Sequence, residues 1–217
     1  MKKEIIILTK SIKRNDYCVA GIDATTGEWI RVVSDNEATE HAVSDYDMKY
    51  SNGTTARVFD IVQINFIEKV PTMVQPENWL FDDTFTWKKV GESNLQEILK
   101  LHPYETPNRI FYNTGKSVVE SEIDFSAHSS LLLVRIPTST IFIKTFERKK
   151  FNYNFTYNSE TYQYISITDE EVRRKYHASQ DGSYPFRSNL PVVFSLADIY
   201  KGEYYKIAAQ FLSAFSF

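Results

Sequence analysis

Residues 60–67 alternate, with Ile61, Gln63, Asn65 and Ile67 on one side and Val62, Ile64 and Phe66 on the other. A period of two marks a half-buried strand. β-Branched and aromatic runs at 5–9, 17–23 and 29–33 predict strands before it. Similar runs at 131–136, 140–146, 151–157, 162–167, 192–196 and 204–212 predict strands after it, the last also fitting a short helix. Turn residues lie between them, as in Thr25-Thr26-Gly27 and Asn158-Ser159-Glu160. Two helices are predicted. Ser93 with Gln96 forms a capping box ahead of the stripe Leu95, Ile98 and Leu99, and Pro103 stops the chain. The second starts at Thr168 with Glu171, with Asp169 and Glu170 in its first turn and Arg173, Arg174 and Lys175 at its end, where the macrodipole favours each sign.

Many short strands with one helix per half predict a mostly β chain of two consecutive OB-like small barrels, each with about one short helix. A single β-sandwich is the competing architecture. The division is expected in the polar stretch 120–128, giving domains 1–125 and 126–217. The aromatic content of 15%, with 14 Tyr, 15 Phe and 3 Trp, fits strands or stacking surfaces. The single cysteine, Cys18, excludes an internal disulfide and a Cys-based zinc cluster, and within Tyr17-Cys18-Val19-Ala20 it reads as a buried structural thiol. The apolar run 5–8 is too short for a signal peptide or a membrane span. The expectation is a cytoplasmic protein with no membrane partner.

The net charge of −3 is unevenly spread: residues 1–125 carry 14 Lys+Arg against 20 Asp+Glu, and residues 126–217 carry 11 against 8. A polyanion would therefore meet the second half. Asp35, Glu37, Glu40, Asp45 and Asp47 lie in 35–47 without a Lys or Arg, which reads as a solvated acidic loop or as a patch for a basic partner.

Several motifs, in order, carry a resemblance. Leu8-Thr9-Lys10-Ser11, Tyr17 to Asp23 and Gly27-x-Trp29-Ile30-Arg31 open the series. Gln75-Pro76-Glu77-Asn78-Trp79-Leu80 follows, then the Phe151 to Tyr164 hairpin leading into Thr168-Asp169, then Phe194-Ser195-Leu196 and Tyr205-Lys206-Ile207-Ala208. Over nearly the whole chain this series resembles the dual OB-containing (DuOB) family, with Val32 where that family would have Pro. The resemblance implies two consecutive OB folds and a nucleic-acid or nucleotide-binding role in bacterial or phage conflict systems.

No catalytic set stands out. His41, His102, His128 and His177 are scattered, with no second His or Cys at ligand spacing. Seven dispersed glycines make no phosphate loop, and no Ser sits on a nucleophile elbow. Three constellations remain. Trp29 and Arg31, near Asp23, either stack a base and hold phosphate or fill the first barrel and form an ion pair. Asn78 and Trp79 either read and stack a base or hold a loop that plugs a barrel end. In the third, Phe151, Tyr153, Phe155 and Tyr157 share one strand face, either core or stacking platform, while Arg148 and Lys150 lead the opposite face with Asn152 and Asn154. Arg173, Arg174 and Arg187 extend that basic edge.

The expected function is a non-enzymatic nucleic-acid or nucleotide-binding module without a cofactor or a metal. The nucleic-acid/nucleotide-binding residues are Arg148, Lys150, Arg173, Arg174, Arg187, Trp29, Arg31 and Asn78. The alternative is a protein–protein adaptor or inhibitor using the acidic first domain. An enzyme holding a divalent ion through Asp23, Glu77 or Asp169 is a third class.

Overall fold

The apolar run 5–8 forms the middle of a strand long enough to serve two neighbours. In the computed structural model, which describes residues 1–126 and 129–212, strand β1 (Lys2–Lys13) pairs with β4 (Asp60–Lys69) through residues 2–6 and with β2 (Asp16–Asp23) through residues 5–13. The order is completed by β3 (Trp29–Val33), β5 (Asn78–Phe81) and β6 (Lys88–Glu92). Neighbours run β1-β2-β3-β5-β4-β6, and the β1–β4 pairing closes five of them into a barrel. Only β3 and β5 pair in parallel. Where β1 passes between partners, a Cβ on Gly21 would lie 2.0 Å from the Ile6 carbonyl oxygen, so only glycine fits.

The interior is filled by Ile5, Ile7, Val19, Ile30, Val32, Val62, Ile64 and Phe66, with Val43, Met48 and Tyr50 added from the β3–β4 connection. Helix α1 (Leu95–Leu101) follows the last strand and is capped by Asn94, whose side chain accepts from the Gln96 and Glu97 amides. The expected Ser93 cap is thus corrected by one residue: Ser93 Oγ donates to Glu97 instead. The helix end meets the β2–β3 turn, where Gly27 has φ +74° and abuts the Leu101 carbonyl.

The second unit repeats the plan. Its strands are β7 (Ser117–Val118), β8 (Leu131–Ile136), β9 (Thr138–Thr145), β10 (Lys149–Tyr157), β11 (Glu160–Ile167), β12 (Gly182–Phe186), β13 (Leu190–Tyr200) and β14 (Glu203–Phe211), with α2 (Glu170–Lys175) after β11. The order is β12-β9-β10-β11-β14-β13-β8, with β7 on β14 and the β11–β14 pair parallel. Pro137, with no amide hydrogen to give, separates β8 from β9. One stretch therefore borders β13 at its start and β10 at its end, the role β1 plays in the first unit. Residues 204–212, which also fitted a helix, are strand through Phe211.

Phe151, Tyr153, Phe155 and Tyr157 all face inward, with Tyr153 fully buried. Phe155 stacks on Tyr162 at 4.7 Å and packs against Phe194. The row is core. Helix α2 begins one residue later than Thr168 suggested: buried Asp169 caps the Val172 amide and also accepts from the Phe211 amide and Gln210 Nε2 of β14.

The units are Met1–Pro103 and Tyr104–Phe217, so the division lies earlier than the expected 125. Residues 104–123 form a strap tied to the second sheet. Tyr157 donates to the Pro107 carbonyl, Tyr162 accepts from the Ile110 amide, and β7 pairs with β14. Residues 1–103 carry 12 Lys+Arg against 16 Asp+Glu, and residues 104–217 carry 13 against 12. The contrast narrows with the shift, from −6 against +3 to −4 against +1.

Candidate functional site

The two barrels differ in the outer face of their second and third strands. In the first, residues 19–23 of β2 and 30–33 of β3 are buried without alternation. Arg31 lies there with Nε 3.3 Å from Glu77 Oε1, both side chains buried, and its amide donates to the Glu77 carbonyl. Asn78 is a buried residue of β5 rather than part of a loop, and its side chain donates to Gln75 Oε1. Trp29 is half-buried, its ring 4.9 Å from that of His102. These residues hold the first barrel together. Asp23 accepts from the Thr25 and Thr26 amides and from Lys3, so Asp23, Glu77 and Asp169 each serve separate local structure.

In the second barrel the corresponding face is open. Asn152 and Asn154 of β10 are half-buried, Thr156 is exposed, and beside them Gln163, Tyr164 and Ser166 of β11 are exposed. Tyr153 pairs with Ile165 and Phe155 with Tyr162, so Asn154 faces both Gln163 and Tyr164 across a β-bulge. Tyr164 takes φ +59°, left-handed for a bulky residue, and its amide donates to Asn154 Oδ1 at 2.7 Å. The bulge turns its ring outward, 51% exposed, edge-on to Phe142 of β9 at 5.5 Å.

At one end of this face the β9–β10 turn gathers cations. Lys144 and Lys150 are directly paired across the strands, and both sit over the ring of exposed Phe146, at 5.9 and 5.4 Å. Arg148 lies in the turn. Arg173 of α2 stacks over Phe151 at 5.5 Å, and burial followed by the nearby Arg148 charge lowers its pKa. Lys144 has Asp181 at 3.6 Å. Among the described residues no carboxylate pairs with Arg148, Lys150 or Arg173. Lys149 instead bonds the His177 and Ser179 carbonyls, fixing the chain after α2 to β10.

Arg148 shares the turn with Lys150 and lies near Arg173, which stacks on the inward-facing Phe151. Arg174 is exposed on α2 without a contact to them. Arg187 follows β12 at its Ser139 end, away from Lys144 by the length of β9, and acts on Tyr176. Sequence reasoning missed Lys144, Phe146, Phe142 and Tyr164. Alternation through 140–146 places Phe142, Lys144 and Phe146 on one face, and that signal was available; the bulge at Tyr164 breaks the period and leaves none. His41 and His102 each use Nδ1 on a backbone carbonyl, of Ser34 and Gly27; His128 lies outside the described residues. Cys18 is half-buried rather than buried.

A concavity of about 780 Å³ lies along the strap beside Asn108, Arg109, Tyr112, Asn158 and Glu160. Its polar groups bond one another: Arg109 grips Glu160 through Nε and a terminal nitrogen, and Asn158 bonds the Pro107 and Asn108 carbonyls.

The first unit is a closed five-strand barrel with a parallel β3–β5 pair, and the second is a sheet of like order with a parallel β11–β14 pair. The model of the dual OB-containing domain matches residues 3–211. The chain belongs to that family. No curated protein and no solved structure matches it. In OB folds the outer face of the second and third strands, with the loop joining the first to the second, is the usual ligand surface. In the second unit those elements are β10, β11 and the Phe146–Arg148 turn, and in the first they are β2, β3 and the turn at residues 14–15. Among the described residues there is no group of three or more His, Cys, Asp and Glu able to hold a metal, and no helix long and apolar enough to cross a membrane.

Proposed function

We propose that this chain is a non-catalytic binding module that takes nucleic acid on the outer face of β9, β10 and β11. The observation that carries the reading is the join of an aromatic pair, exposed Tyr164 on half-buried Phe142, to a turn rich in cations: Lys144, Phe146, Arg148 and Lys150, with Arg173 near Arg148 and Glu147 as the one acid within the turn. Phosphates are drawn to such a turn, and bases stack on exposed rings regardless of sequence. Asn152 and Asn154 add amides to the same surface. The setting implied by the family, a bacterial or phage conflict system, is part of the proposal.

The adaptor reading is weaker because the acidic segment spends its charge locally. Asp45 bonds Lys10, Glu40 pairs with Lys13 and Arg14, and Asp47 accepts from Ser44. Fluorescence anisotropy with a labelled single-stranded oligonucleotide at low salt tests the nucleic-acid reading. Arg148→Glu/Lys150→Glu should lose about tenfold or more in affinity with an unchanged melting temperature, since both side chains are exposed. Unchanged affinity in that variant would refute the basic-turn site.

A further inference from the structure

The concavity along the strap belongs wholly to the second unit and sits by the β10–β11 turn, at the far end of β10 from Phe146 and Arg148. At about 780 Å³ it is the size of a small-ligand pocket. Pro107, Phe111, Tyr112 and Leu132 give it apolar walls. One wall is a strained turn. The Asn113 amide donates to the Phe111 carbonyl at 2.8 Å, with Phe111 at φ +49° and Tyr112 at φ +70°. Two adjacent aromatic residues in the left-handed region persist only where their surroundings hold them. Here buried neighbours do so: Lys206 of β14 donates to the Asn113 carbonyl and to its Oδ1, and the Tyr162 hydroxyl accepts from the Ile110 amide. The wall is fixed before anything binds, which lowers the ordering cost of binding.

Around the concavity the acceptors are engaged. Both Glu160 oxygens receive Arg109 Nε, the Glu105 carboxylate receives the Leu133 amide, and the Pro107 and Asn108 carbonyls receive Asn158 Nδ2. Two donors keep capacity. Arg109 meets Glu160 with Nε and one terminal nitrogen, and its other terminal nitrogen has no acceptor among the described residues. The end-on edge of the guanidinium is therefore open, and that edge takes a second carboxylate in the same bidentate way. Glu160 fixes the plane of the fork. The Ser129 hydroxyl accepts from the Leu131 amide and retains a hydrogen to donate. An amine would meet the charges of Arg109 and of Lys206, which lie close enough to act on each other.

We propose that this concavity binds a small organic carboxylate with an aromatic or branched apolar body. The carboxylate lies on the open edge of Arg109, within reach of the Ser129 hydroxyl, and the body packs against Phe111, Tyr112 and Leu132. Glu160 is a positioning residue, acting through Arg109. The site is separate from the nucleic-acid surface, and neither requires the other.

Isothermal titration calorimetry of the full chain with phenylacetate and indole-3-acetate tests the site, with acetate and phenylacetamide as controls for the body and the charge. An aryl acid should bind saturably, one per chain, at least about tenfold tighter than acetate or the amide. Arg109→Lys keeps the charge but loses the planar fork, and should weaken the acid about tenfold or more. Leu132→Trp fills the concavity from β8 and leaves the Arg109–Glu160 pair in place, and it should abolish binding. Thermal melts establish that each variant is folded. Arg148→Glu/Lys150→Glu should bind the acid as wild type does. The proposal is overturned if wild type binds neither acid, if the amide binds as the acid does, or if folded Arg109→Lys and Leu132→Trp both match wild type. Loss of the acid in Arg148→Glu/Lys150→Glu would also overturn it, by placing the anion on the basic turn. Oligonucleotide binding is measured separately, so failure of either reading leaves the other standing.

Discussion

Arg31 and Glu77 are 46 residues apart in sequence and meet as a buried pair in the first barrel. Removing one partner strands a buried charge, which costs about 3–5 kcal/mol, whereas replacing both with apolar residues of similar volume is much better tolerated. Urea denaturation should therefore show Arg31→Ala strongly destabilised and Arg31→Met/Glu77→Leu close to wild type. Neither variant should alter oligonucleotide binding when folded. Loss of binding in folded Arg31→Met/Glu77→Leu would return Arg31 to a ligand site. Arg31 was legible as either a phosphate holder or an ion pair. What decided it was Glu77, whose approach depends on the parallel β3–β5 pairing and on nothing local.

Asp169 adds a pH signature. Burial pushes its carboxyl up from 3.8 to about 6, against the lowering effect of its amide donors. The native protein takes up this proton as pH falls below about 6, and the unfolded chain does so only near 3.8. The group thus stabilises the fold most below the lower value, and that contribution is lost as pH rises through the higher one. The difference in unfolding free energy between wild type and Asp169→Asn should move in favour of wild type between pH 7 and pH 4.5. A difference that does not vary with pH would show that Asp169 does not titrate in this window.

Among the elements, β-branched and aromatic runs predicted β3 and β8 to the residue, and the period of two assigned the β10 aromatics and asparagines to opposite faces. It failed on β5, β6 and β12, where Asn, Lys, Gly and Pro dilute the pattern and pairing with neighbours makes the strand. It failed also at Tyr164, because a bulge is set by the two strands together. That bulge offers a separate test. Glycine accepts φ +59° without a Cβ penalty but loses the ring contact with Phe142. Tyr164→Gly should shift stability by no more than about 1 kcal/mol while weakening single-strand binding by about 1–3 kcal/mol. A variant that binds as wild type does would remove Tyr164 from the interface.

At the scale of the molecule, the mostly β content and the dual OB plan were legible in motif order and strand count. The division at Pro103 was not. The sequence reading places residues 104–123 in the first domain, and only contacts such as Lys206 with Asn113 and Arg109 with Glu160 show them to be part of the second unit. The near-neutral balance of that unit makes a local turn, and not the charge of a whole domain, the source of attraction for a polyanion. Salt dependence of binding tests this most directly. Single strands give a slope of about −0.7 in log affinity against log salt for each phosphate neutralised. With Arg148, Lys150 and Arg173 engaged, wild type should show a slope of about −2, and Arg148→Glu/Lys150→Glu a slope of about −0.7 or shallower. Equal slopes in the two proteins would contradict the account.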